Sequence, residues 1–271
     1  MGRRPGSHRI AGGKMRRLAI SASLAIIALF AAGARGDPVQ EGNLRVDFDG
    51  SIVPRVLPRA RPAPVTVYLG SSIGTVDGSR PPQLGKVSMA VNRTGHLFLA
   101  GLPSCPRGEL EQTSTAAALA LCRGALVGHG TFDAGVQFAT GGPIPVHGKV
   151  LVFNSRIGGK AAFLLHIYNS SPVRVAFVIP FTITHPRKGD FGTVFSARIP
   201  HIASDRGYVT AVRLTLKRRY AFRGERRSVF SASCTAAPGF PGAVFTLARA
   251  TFSFENGKRL TSALTRDCAV R

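Results

Sequence analysis

Apolar and polar positions alternate along most of the chain, in short runs broken by Gly, Pro, Asn and Asp. NLRVDFDGSIVPRVL (43–57) and VTVYLGSSIGTV (65–76) carry the two-residue period of a strand with one face buried. RPAP (61–64) separates them, and Asp77-Gly78 turns the second. KVSMAVN and HLFLAGL flank Arg93-Thr94-Gly95, which predicts a hairpin, and KVLVFN and AAFLLHIYN flank Ser155 to Gly159, which predicts another. ALVGHGTFDAGVQF (125–138) reads as a glycine-rich strand. RVAFVIPFTIT (174–184) is a long apolar strand in which Pro180, with no N–H to give, demands a bulge or an edge. AVFTLARATFSF and RLTSALTRDC meet at Asn256-Gly257, a short-hairpin signal. The pattern predicts an all-β fold of about a dozen strands, arranged as a two-sheet antiparallel sandwich.

CPRGELEQTSTAAALALC (105–122) breaks the rhythm, an alanine-rich helical stretch with a cysteine at each end. Cys105, Cys122, Cys234 and Cys268 are an even set with no C-x-x-C spacing, which favours disulfides over zinc or thiol chemistry. Four cysteines allow three connectivities, and proximity selects 105–122 with 234–268. A straight helix from Glu109 to Cys122 would rise about 20 Å. The lead from Cys105 to Glu109 reaches only about 13 Å, whereas a disulfide needs Cα atoms within about 7 Å. The pairing therefore requires a shorter helix near 113–122, capped at Thr113 or Ser114.

The N-terminus reads as a signal peptide, residues 1–36. Arg3, Arg4, Arg9, Lys14, Arg16 and Arg17 precede the apolar run Leu18 to Ala34, and small residues then offer cleavage sites. A retained membrane anchor is the alternative, although the run is short for a span. Residues 37–271 form the β domain, with 105–125 as a potential seam between two lobes. Removing 1–36 takes away seven basic residues, leaving 29 against 13 acidic and a net charge of +16. Such a charge attracts polyanions, although GC-rich coding bias produces the same excess. Lys217, Arg218, Arg219, Arg223, Arg226 and Arg227, interleaved with Tyr220 and Phe222, are the candidate anion-binding residues for an anionic envelope polymer or other polyanion.

Catalytic patterns are weak. GSSIG (70–74) puts Ser72 in a nucleophile slot, but no helix pattern follows to make the elbow. DFDG (47–50) lacks the further ligands of a calcium loop. His96, His129, His147, His166, His185 and His201 show no metal-ligand spacing, and only His129 and Asp133 share a strand face. No catalytic residue, metal or cofactor is assigned.

LPSC, ALALCRGALVG, IPFTI, GDFGTVFSARIP, SVFSASCTAAPGF and the terminal CAVR resemble segments of a group of exported β-rich proteins of high-GC actinobacteria. The likeness covers roughly 45–271. It implies export and a β-rich fold, and transfers no functional residue.

Three readings follow: an exported, disulfide-stapled β protein with a binding or structural role at the cell envelope, a polyanion-binding module built on the basic hairpin, and an extracytoplasmic hydrolase with a site assembled from distant strands. A charge-driven role predicts retention on DNA or envelope polymers that falls steeply as salt rises and is weakened by replacing Arg218, Arg219, Arg226 and Arg227. Salt-resistant retention would point to a shaped pocket instead.

Overall fold

Alternation sets the direction of each side chain: in the strand Leu44–Val53, Leu44, Val46 and Phe48 are buried while Arg45 between them is exposed. The computed structural model describes residues 38–171, 174–201 and 206–271, together with Gly2. Apart from Gly2, the signal peptide read at 1–36 lies outside them. The strands are β1 (Val39–Glu41), β2 (Leu44–Val53), β3 (Val56–Leu57), β4 (Ala63–Pro64), β5 (Thr66–Thr75), β6 (Leu84–Asn92), β7 (Gly95–Leu97), β8 (Leu126–Val136) and β9 (Ile144–Ile157). They continue as β10 (Lys160–Asn169), β11 (Val175–Thr184), β12 (Phe191–Arg198), β13 (Gly207–Leu216), β14 (Arg219–Phe222), β15 (Glu225–Ser228), β16 (Phe230–Ala232), β17 (Gly242–Phe254) and β18 (Arg259–Val270). Helices α1 (Arg107–Leu110) and α2 (Thr115–Cys122) lie between β7 and β8.

The all-β expectation holds, with one helical excursion. The two facing sheets do not form. Thirteen strands instead follow one hydrogen-bonded order, β1-β2-β5-β13-β8-β9-β10-β11-β12-β6-β17-β18-β3. Every pair is antiparallel except β3 beside β18. The sheet curls until β18 lies against β1 and β2. Side chains, not a ladder, bridge that seam: Arg266 Nε donates to the Gly50 carbonyl at 2.7 Å, and Lys258 Nζ to the Glu41 carbonyl at 3.0 Å. Curling replaces the second sheet, because the inward row of one sheet can face itself across the interior.

Local signals sit where the residues demand. β9 and β10 join through Gly158 and Gly159, both at positive φ, and Asn256-Gly257 joins β17 to β18. Pro180 pairs with Leu164 of β10, while the β11–β12 ladder starts only at Thr182, so its missing N–H faces no ladder. The hairpin expected around Arg93-Thr94-Gly95 does not form. Asn92 Oδ1 accepts from Thr94 N and its Nδ2 donates to the Thr246 carbonyl, each at 3.0 Å, turning the chain out of the sheet. β7 then pairs with β16, which also pairs with β4, to make a small three-stranded cap. The Cys234–Cys268 disulfide, with Cα atoms 5.8 Å apart, ties the chain beyond β16 to β18.

The outer face of β9 and β10 is apolar where it should meet water. Leu151, Phe153 and Leu164 point there, and Leu110, Ala118 and Ala125 of the helical excursion cover them. The helix is broken as the cysteine spacing requires: α1 ends at Leu110, Gln112 adopts φ 60°, and Ser114 caps α2 by accepting from Ala117 N at 3.2 Å. Cys105 and Cys122 then stand 5.5 Å apart at Cα and are bonded. Ser155 Oγ donates to the Cys105 carbonyl at 2.7 Å, and Asn154 Nδ2 to that of Pro103 at 2.8 Å. Residues Ala34–Arg271 form one compact unit, and the 105–125 segment is a cover on it.

His166 is fully buried beneath this cover. Its Nε2 lies 3.0 Å from the Thr113 carbonyl and 3.2 Å from its hydroxyl, and Nδ1 has no partner beyond its own backbone. Burial lowers its pKa from the ordinary 6.5, with the Thr113 carbonyl opposing. The native ring is therefore neutral where the unfolded chain's is charged. Its contribution is complete above about pH 6.5 and is lost as pH falls towards the native pKa, at up to about 1.4 kcal/mol per pH unit. Urea midpoints should fall between pH 7.5 and 5, and His166→Gln should flatten that fall relative to the parent. Replacing Cys105 and Cys122 together by Ser should lower unfolding free energy by about 3 kcal/mol in the same titration.

Candidate functional site

The curl of the thirteen-stranded sheet leaves space inside. Inward residues of β5, β6, β10, β11 and β13 line two apolar chambers, one after the other along the interior. The chamber beneath the cap has a volume of about 120 Å³ and runs from Phe230 and Leu97 of the cap to Val152 and Phe163. The second has about 150 Å³ and runs on to Phe132, Ile167 and Phe252. Leu69, Met89, Leu165, Phe181 and Leu214 line both chambers, so they form the waist between them. Few side chains in this lining are polar: Thr193, Ser231 and His96 in the first chamber and Ser71 in the second. Thr193 Oγ1 is engaged by His185 Nδ1 at 3.3 Å.

A third, polar cavity of about 560 Å³ opens beside the cap. Asn92, Arg93, Thr94, His96, Asp190 and Ser233 line it. His96 also lines the first apolar chamber, so the vestibule and the interior share a wall. The turn that carries these residues is fixed from both sides: Arg93 N donates to the Asp190 carbonyl at 2.9 Å and Ser233 N to the Thr94 carbonyl at 3.0 Å. The Arg93 guanidinium is held by the carbonyls of Gly189 and of Pro186, the latter at 2.9 Å. Thr94 Oγ1 is buried without a hydrogen-bond partner.

The basic hairpin forms, but its cations divide. β14 and β15 turn through Arg223 and Gly224, both at positive φ, the geometry of a two-residue loop. The register pairs Tyr220 with Arg227 and Phe222 with Glu225 on one face, and Arg219 with Ser228 and Ala221 with Arg226 on the other. The first face folds onto the loop at 98–101. Tyr220 Oη donates to the Ala100 carbonyl at 2.7 Å, Phe222 meets Phe98 edge-on at 6.0 Å, and Gly101 leaves no room there for a Cβ. Arg227 lies 5.2 Å over the Phe98 ring and pairs with Glu225; Arg223 lies 5.2 Å over Phe222. Arg218 Nη2 donates to the Gly124 carbonyl at 3.3 Å. Lys217, Arg219 and Arg226 are exposed.

The other motifs take structural places. Ser72 lies in mid-strand β5 and bonds Asp47 at 3.3 Å, so it is no elbow nucleophile. His129 does not engage Asp133. His147, directly across β9, does so at 2.7 Å, and Arg213 adds a contact at 3.1 Å. The His147 hydrogen bond, then Arg213, hold the Asp133 carboxyl below its ordinary pKa against partial burial. Among the described residues, the one cluster with metal-ligand side chains is Cys105, Glu109 and Cys122, and the disulfide consumes both thiols. Arg93, Thr94 and His96 escaped the sequence reading as a site, because Asn92 to Gly95 looks like an ordinary turn until the cap is built. No known protein family, characterised protein or solved structure matches the chain.

Proposed function

We propose that this protein is an exported, disulfide-stapled binding protein that holds an apolar ligand inside its curled sheet. The pair of apolar chambers joined at a shared waist carries the reading. At about 24 cal/mol per Å³, unfilled chambers of 120 and 150 Å³ would cost roughly 6 kcal/mol, comparable to the whole stability of many domains. An apolar cavity of this size stays dry and takes apolar molecules. Ligand pockets are concave and mostly apolar with a few placed polar groups, which describes this interior. Two disulfides support an oxidising, extracytoplasmic setting. Binding at the envelope is the role, and no residue is assigned to catalysis.

The neutral fluorophore N-phenyl-1-naphthylamine should gain fluorescence on the protein and raise its melting temperature, the rise growing with the logarithm of ligand concentration above the Kd. Met89→Trp closes the waist and should weaken that binding at least tenfold; Leu214→Ala, which widens it, should not. Circular dichroism establishes that each variant folds. Fluorescence and melting that ignore the probe, or binding that ignores both variants, would overturn the reading.

A further inference from the structure

We infer that the end of the curled sheet away from the cap docks on an anionic lipid membrane, with Phe138, Ile144 and Val175 at the contact and Arg174 and Arg206 on the lipid headgroups. The docking residues stand on their own; the passage of an apolar ligand at this end rests on the apolar-binding reading.

Strand lengths make the surface. β9 pairs with β10 only from Lys149 onward, and its residues 144–148 pair in a ladder with β8 alone. The β8–β9 hairpin therefore extends past β10. Phe138 is 44% exposed and Ile144 38%, one on each side of the hairpin's loop. Val175, exposed as well, opens β11 opposite Asn169, where β10 ends. Large apolar side chains held in water beside cations mark a surface that meets a partner.

Charge names the partner. The Arg206 guanidinium lies 5.6 Å over the Phe138 ring, and the exposed Arg174 precedes Val175. Arg80, 5.6 Å over the Tyr208 ring of β13, stands at the same end. The Asp77 carboxylate opposes them from the loop after β5, where it accepts from Ser79 N at 2.9 Å. Across the opening, Glu255 is paired with His201 at 3.0 Å. Arginines flanking exposed apolar side chains fit anionic headgroups above acyl chains.

The two ends of the sheet differ. Val53, Val56, Phe240 and Val244 are also exposed, towards the cap. The cations beside them are engaged within the protein: Arg55 pairs with Asp267, and the Arg59 guanidinium is held by the carbonyls of Ala236, Ala237 and Phe240. The cap also lies over the interior there. At the far end, Ile199 and the exposed Pro200 line the second chamber, so the interior approaches solvent at the end that carries the docking residues.

Vesicle flotation of residues 37–271, which lie within the compact unit Ala34–Arg271, tests this without the apolar run at 18–34. Affinity for equimolar phosphatidylcholine–phosphatidylglycerol vesicles should be at least ten times that for phosphatidylcholine alone. Phe138→Ser with Ile144→Ser should lower it at least tenfold, and Arg174→Gln with Arg206→Gln should bring the two lipids together. Phe240→Ser with Val244→Ser should change neither. Circular dichroism establishes that each variant folds. Absence of flotation, or a loss that the cap-end variant reproduces, overturns the docking. So does a loss in the arginine variant with none in the Phe138–Ile144 variant, which is plain attraction to a polyanion. N-phenyl-1-naphthylamine reads the chambers separately: if it binds while flotation fails, the docking falls and the apolar-binding reading stands, and if it never binds while flotation follows the variants, the reverse holds.

Discussion

A curled sheet of this many strands encloses more space than its inward side chains can fill. About eight strands suffice for side chains to meet across the axis, and each further strand widens the interior. Here Phe163 stacks on Phe195 at 5.7 Å and tilts against Phe230 at 6.1 Å, so large rings do much of the filling beneath the cap. Further down, Phe48, Phe132, Phe177 and Phe252 line the second chamber together with Leu, Ile and Val side chains, and both chambers remain. The wall is well bonded and the contents are loosely packed. That contrast sets what the rest of the chain has to do.

Two regions need fastening that the main ladder cannot provide. The cap has only two- and three-residue strands, and the cover offers one short helix and a single turn. Few backbone bonds hold either piece. Each carries one disulfide, Cys234–Cys268 for the cap and Cys105–Cys122 for the cover, and among the described residues no cysteine is free. Cross-linking acts chiefly by shrinking the unfolded ensemble, which matters most where native contacts are sparse. The cover also explains His166. A histidine on the outer face of β10 would ordinarily be wet, and it is dry because Thr113 and the helix break lie on it.

Much of the local structure is legible in the residues. Asn256-Gly257, the glycines after Ile157 and the proline at 180 each impose a backbone geometry within a few positions, and each appears where the chain calls for it. Chain-length arithmetic between Cys105 and Cys122 requires the helix break, and Gln112 at φ 60° supplies it. The division into one sheet or two was not legible. Alternation records which face of a strand is buried, and a sandwich and a curled sheet bury the same faces. What separates them is long-range pairing such as β5 with β13 and β6 with β17, which leaves no local mark. Arg93-Thr94-Gly95 failed for the same reason: β7 is drawn away by β16, more than 130 positions on.

Net charge and interior chemistry connect through position. The outward row of β17 and β18 carries Arg249, Thr251, Arg259, Thr261 and Asp267, while the inward row carries Ala250, Phe252, Leu260 and Leu264. Arg266 is the buried exception in that inward row, bonded to the Gly50 carbonyl, and the cations of the outward row stay hydrated at little cost. Hairpin arginines that stack on Phe98 and Phe222 use their planar groups to hold β14–β15 down on the loop at 98–101, and this loop leads directly from the cap into the cover. Cap, hairpin and cover thus form one continuous belt over β7 to α2, and the vestibule opens at its edge.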